Sequence, residues 1–211
     1  MRLYHLLLIV ILLLSCFAWL PGHLPRHQPR SGPGAIPEKK TLPVFSKKLA
    51  GKAAEAKRFA TQNGYNERLC FLVSMSLPSG QNRFFVYDLK NDTVLNEGLV
   101  THGRCNENWL EGRKYGNTPG CGCTSLGKYR IGYSYTGRFG LAYKLYGLES
   151  TNDKAFSRFV VLHSHDCVPD AATGDEICQS DGCPTVGPAF LRYLKPIIDR
   201  SEKPVLLWIF E

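Results

Sequence analysis

The chain has 211 residues, with 26 lysines and arginines against 18 aspartates and glutamates, and a net charge of +8. About 140 of its residues could build one compact core, one domain's worth. The basic excess, much of it in residues 26–58, suits either solubility or attraction to an anionic envelope surface, and no DNA- or RNA-binding signature points to nucleic acid.

Residues 1–20 read as a targeting segment. Arg2 precedes the apolar run Leu3–Leu14, and Ser15-Cys16-Phe17-Ala18-Trp19-Leu20 follows. Three readings fit: a cleaved export signal, a lipoprotein leader in which Leu13-Leu14-Ser15-Cys16 presents Cys16 for lipidation, and a retained membrane anchor over Leu3–Leu20. All three place the rest of the chain outside the cytoplasm. Residues 21–45 hold Pro21, Pro25, Pro29, Pro33, Pro37 and Pro43, a density that blocks helix and sheet ladders and predicts an extended spacer.

Residues 46–66 predict a packing helix. Ser46 is the candidate N-cap, Leu49, Ala53, Ala56 and Ala60 recur at helical spacing, and Gly64 is the stop. From 67 to 211 the pattern predicts a mainly β domain. Cys70–Leu77, Arg83–Leu89 and Thr93–Thr101 read as strands separated by polar turns. Gly103–Gly122 is a long irregular stretch that Cys105, Cys121 and Cys123 could pin. Tyr129–Tyr135 and Leu141–Leu145 read as strands whose tyrosines, Tyr133, Tyr135, Tyr143 and Tyr146, either line a groove or serve as ordinary strand residues. Phe159–Leu162 is the strand that delivers His163. Pro188 opens a helix that Pro196 interrupts, and Val205–Phe210 is a closing buried strand. There is no internal repeat.

The chemistry concentrates in Leu162–Val186, LHSHDCVPDAATGDEICQSDGCPTV. A histidine at a buried strand end and a cysteine on a glycine turn are the two parts of a thiol acyl-transfer site, in which imidazole takes the thiol proton and the thiolate attacks a carbonyl. Cys183 is the candidate nucleophile and His163 the candidate base, with His165 as the competing base. Ser164 would orient the imidazole through its carbonyl or hydroxyl. Ser180, Asp181 and Gly182 shape the turn, whose N–H groups could receive an oxyanion. Asp181 would oppose thiolate formation, so its carboxylate is expected to point away. Zinc is the other use of His163, His165, Cys167, Cys178, Cys183 and Cys121-Gly122-Cys123, but the spacing matches no standard ligand pair, and no metal or cofactor is expected.

His163-Ser164 followed by Ser180-x-Gly182-Cys183 resembles the signature of the L,D-transpeptidase catalytic domain family, the YkuD-like cell-wall enzymes. Thr124-Ser125-Leu126-Gly127-Lys128-Tyr129-Arg130-Ile131 is similar to that family's upstream glycine segment, and Val86-Tyr87-Asp88-Leu89 to its first core strand. The sequence departs from the usual pattern at Asp181, where histidine is common, at Pro184-Thr185, where an apolar residue and arginine are common, and in carrying two extra cysteines between His163 and Cys183. The resemblance implies a β-sandwich of mixed sheets with a few short helices. It implies a cysteine acyl-enzyme formed on the third residue of a peptidoglycan stem peptide, resolved by another stem's amine into a 3–3 cross-link, or by water in a carboxypeptidase or hydrolase. The rival is a non-catalytic, disulfide-rich cell-wall binding domain with Cys183 bridged.

Export makes the eight cysteines informative. Setting Cys16 aside leaves an odd number, so one thiol stays unpaired in an oxidising compartment, and the catalytic reading nominates Cys183. Cys70, Cys105, Cys121, Cys123, Cys167 and Cys178 could then form three bridges, of which Cys167–Cys178 is the natural choice because it closes the loop between base and nucleophile.

Overall fold

A computed structural model describes residues 43–211, with side chains from Lys47 onward. The targeting segment, Cys16 and the spacer up to residue 42 lie outside the described residues. Among those described, no helix is long and apolar enough to cross a membrane.

Helix α1, Pro43–Asn63, begins ahead of the expected Ser46 cap. Proline suits a first helical turn, where the missing N–H has no intrahelical partner. Leu49, Ala53, Ala56 and Ala60 are all buried, and three small side chains let the helix lie close on Cys70, Leu72, Phe85, Leu206 and Trp208. Gly64, at φ +73°, ends it, and the Tyr65 N–H closes back on the Ala60 carbonyl at 3.0 Å, a left-handed stop that glycine adopts without a Cβ penalty.

Strands β1 (Leu69–Ser74), β2 (Phe84–Asp88), β3 (Thr93–Gly98), β4 (Gly127–Gly137), β5 (Gly140–Gly147), β6 (Val161–Ser164), β7 (Thr185–Val186) and β8 (Leu206–Phe210) follow, with helix α2, Pro188–Asp199, before the last. They form one mixed eight-stranded sheet in the order β3-β2-β1-β8-β4-β5-β6-β7. β8 enters the middle, parallel to β1 and antiparallel to β4. β1, β2 and β8 are buried almost throughout, which is why they read as continuous apolar runs rather than alternating ones. α1 covers one face. The other face curls around a core in which Phe71, Val86 and Ile209 join Tyr129, Leu145, Leu162, Val186 and Leu194 of α2. The two ends of the sheet approach each other: Val100 bridges Val186, and the Thr101 N–H donates to the Thr185 carbonyl at 2.9 Å. This return brings the stretch after β3 beside the Cys183–Val186 segment.

Several boundaries shift from expectation, among them those of β6 and α2. β6 starts at Val161 rather than Phe159, because Phe159 takes a left-handed φ of +59° in the preceding turn. α2 runs through Pro196; proline this near the C-terminal end removes one hydrogen bond without ending the helix.

Candidate active site

β6 ends in His163-Ser164, and its parallel neighbour β7 opens two residues after Cys183, with His163 in register with Thr185. Cys183 and His163 thereby line one open cleft of about 420 Å³, together with Thr101, Arg104, Phe139 and Asp181.

His163 is buried and held on three sides. Its Nδ1 lies 3.0 Å from the Ser164 carbonyl. A carbonyl only accepts, so Nδ1 carries the proton and Nε2 is the bare, basic nitrogen. The Thr185 hydroxyl, 3.0 Å away, therefore donates to Nε2. The Phe139 ring stacks on the imidazole at 4.9 Å and 17°. Burial holds the imidazole below its ordinary pKa, the Ser164 carbonyl opposes that shift, and His165 adds to it. His165 is exposed, and its Nδ1 accepts the Cys167 N–H at 3.1 Å.

The Cys183 thiol is free. Its Sγ accepts the Val161 N–H at 3.5 Å and offers its proton to the Phe159 carbonyl at 3.8 Å. Burial pushes the thiol pKa up, the Val161 N–H and Arg158 pull it down, and Asp181 raises it again. The structure therefore presents a neutral thiol beside a neutral imidazole, not the partly ionised pair that a cysteine–histidine motif suggests. No hydrogen bond joins the two side chains, an arrangement that substrate-free sites commonly show.

The Ser180–Cys183 turn is built tightly. Gly182 sits at φ +106°, and a Cβ there would stand 2.6 Å from the Cys123 carbonyl, so only glycine fits. Ser180 Oγ accepts the Gly182 N–H at 3.2 Å and donates to the Cys183 carbonyl at 2.7 Å, and the Ser180 N–H goes to the His102 carbonyl at 2.9 Å. The Ser180 and Gly182 N–H groups are thus engaged in holding the turn, and Pro184 has none. Asp181 points outward and pairs with Arg104 at 2.8 Å.

The cysteines form two bridges among the described residues, not three. Cys167 joins Cys178 and Cys105 joins Cys123. Cys70 is wholly buried under α1 with no sulfur partner and a pKa driven far up by burial. Cys121 is also free. The tyrosines do not line the cleft: Tyr143 is buried with its hydroxyl on Asp199 at 2.8 Å, and Tyr146 stacks on Phe156. Phe139, Thr185, Thr101 and Arg104 do line it, and no periodicity marks such single residues in turns and strand ends. Among the described residues, no three His, Cys, Asp or Glu side chains converge as a metal site.

A free thiol and an imidazole with one bare nitrogen in one cleft are the groups that define thiol-dependent acyl-transfer sites. The sequence signature of the L,D-transpeptidase catalytic domain matches residues 39–210, and the chain belongs to that family. No curated protein matches the chain. Solved structures that resemble it include an L,D-transpeptidase from Mycobacterium smegmatis, 11% identical with a TM-score of 0.40, covering 67% of this chain and 58% of that one. An LD transpeptidase in complex with imipenem is 12% identical, with a TM-score of 0.40 and the same coverage. A fused Zn-dependent amidase/peptidase/peptidoglycan-binding domain-containing protein from Clostridium acetobutylicum is 12% identical, with a TM-score of 0.38, covering 80% of this chain and 63% of that one. The chain thus spans 58% of the length of the first two.

Proposed function

We propose that the chain is an exported L,D-transpeptidase that joins peptidoglycan stem peptides through their third residues, with Cys183 as nucleophile and His163 as base. The observation that carries this reading is the free Cys183 thiol in the cleft of an imidazole whose Nδ1–H is committed to Ser164, leaving Nε2 to take a proton. The reading with Cys183 bridged in a binding domain is disfavoured by that same free thiol.

As Sγ attacks the carbonyl carbon of the donor stem's third residue, its proton moves to Nε2 of His163. The imidazolium can then donate to Thr185 Oγ1, whose own hydrogen turns to the Cys183 carbonyl, 3.4 Å away. The tetrahedral oxyanion forms beside the Cys183 N–H, which makes no hydrogen bond among the described residues. Collapse breaks the peptide C–N bond, His163 returns the proton to the leaving amine of the terminal D-residue, and a thioester remains. An acceptor amine attacks the thioester, gives its proton to His163 and restores the thiol. Water in place of the amine gives a trimmed stem.

Incubation of the protein with tetrapeptide-bearing muropeptides, followed by liquid chromatography and mass spectrometry, tests this reading. A 3–3 linked dimer is expected, with none from Cys183→Ala. Trimmed stems alone would assign a carboxypeptidase, and an unchanged substrate would refute the reading.

A further inference from the structure

Arg158 takes no part in the steps above, yet its guanidinium is spent on the loop against which the Gly182–Cys183 turn packs. Its guanidinium donates to the Gly116 carbonyl at 3.0 Å, to the Cys123 carbonyl at 2.7 Å, to Ser125 Oγ, and to Cys121 Sγ at 3.2 Å. The Cys123 carbonyl is the atom against which Gly182 packs, and a Cβ on Gly182 would stand 3.4 Å from Arg158 Nη2. Arg158 has no carboxylate partner among the described residues, so its charge is not neutralised locally. The residues that follow it complete a socket. Phe159, bent into the left-handed region, aims its carbonyl at Cys183 Sγ, and Val161 aims its N–H at the same sulfur.

We propose that Arg158 is a positioning residue for Cys183: its guanidinium clamps the Gly116–Ser125 loop and the Phe159–Val161 socket against the nucleophile turn and sets a fixed positive charge beside the thiol. This inference rests on Cys183 being the nucleophile. The other ionisable groups around the sulfur and its cleft are Asp181 on its own turn, Arg104, His163 on β6, the exposed His165 just beyond it and the buried Tyr129 phenol on β4. Asp181 opposes ionisation and is itself paired with Arg104. His163 is neutral at rest, so Arg158 is the standing cation that favours the thiolate. A planar fork with five donors suits this place better than a lysine, which could carry the charge but not the four bonds.

The test is the pH dependence of Cys183 alkylation by iodoacetamide, read by peptide mapping of the full chain in a Cys121→Ser background, so that the neighbouring thiol does not compete. In Arg158→Gln the ionisation midpoint is expected to rise by about one unit, a roughly tenfold loss of thiolate below the midpoint. Arg158→Lys should recover most of the midpoint while cross-linking activity stays low, because the clamp is not rebuilt. Should Arg158→Gln not fold, Arg158→Lys alone decides: a midpoint near that of the parent with depressed turnover supports the proposal. An unchanged midpoint in Arg158→Gln, or full turnover in Arg158→Lys, overturns it. Alkylation reads the thiol whether or not it is catalytic. Failure of the nucleophile reading would instead be seen as cross-linking that survives Cys183→Ala.

Discussion

Burial pushes Cys183 and His163 in opposite directions, the thiol above its ordinary pKa and the imidazole below its ordinary 6.5. Both groups are then neutral near pH 7, and in the proposed mechanism acyl transfer begins with proton transfer rather than from a standing thiolate. The pH profile of acylation by a carbapenem, followed in single turnover, should keep its plateau below pH 6.5, because His163 stays neutral there, and fall only at more acid pH. A standing thiolate would instead be alkylated at a pH-independent rate well into the acid range. His163→Ala should slow acylation by at least ~100-fold, the usual cost of losing a general base. His165→Ala should cost far less, since that ring is exposed on the cleft rim; the reverse order in the same assay would move the base to His165. Thr185→Val removes the hydroxyl from Nε2 but leaves the Ser164 carbonyl and the Phe139 ring in place, so the loss should stay within about tenfold, the worth of one ordinary hydrogen bond.

At the level of elements, the Ser180–Cys183 turn is held by a buried polar strut. Arg83, fully buried, donates to the Val100 carbonyl at 2.8 Å and to Nδ1 of the buried His102 at 3.2 Å. Arg113 stands at the other ring nitrogen and pairs with Glu176 at 2.8 Å, and Glu176 accepts the Ser79 hydroxyl. The His102 carbonyl receives the Ser180 N–H, so the strut ends on the turn. Burial, then the two arginines, lowers His102 to about 4, and Arg113 and Ser79 hold Glu176 at about 2 against its own burial. Both folded values lie below the unfolded ones of 6.5 and 4.5, so the unfolded chain binds protons first and stability is lost as pH falls. The melting temperature should decline from pH 6.5 toward 4 through His102 and again from 4.5 toward 2 through Glu176. His102→Gln should flatten the first decline; an unaltered slope would refute that assignment. The Cys167–Cys178 bridge, with a sequence separation of 11, closes the same segment. A loop of about fifteen residues is worth ~3 kcal/mol in the chain-entropy model, so the Cys167→Ser, Cys178→Ser double variant should lose slightly less in denaturant unfolding.

Across the whole molecule, local signals and long-range ones were unequally legible. The alanine face of α1, the strand segments and the meeting of His163 and Cys183 in one cleft were legible in the sequence because periodicity, glycine turns and a His…Cys order are local. The insertion of β8 between β1 and β4 leaves no such mark, since strand order depends on pairing between distant segments. Cysteine parity failed for Cys70 and Cys121 because an even count says nothing of reach: Cys70 is sealed between sheet and helix and bridges no other cysteine among the described residues. Arg158 and Thr185 were missed for a similar reason, as one polar residue in a turn or short strand has no pattern to betray it. What all of this supports is a single nucleophile, and the most direct test is intact-mass analysis with peptide mapping after exposure to a carbapenem. We expect one covalent adduct, on Cys183, in the parent chain and none in a folded Cys183→Ala variant; an adduct that persists in that variant, or one that maps to Cys121, would contradict the assignment.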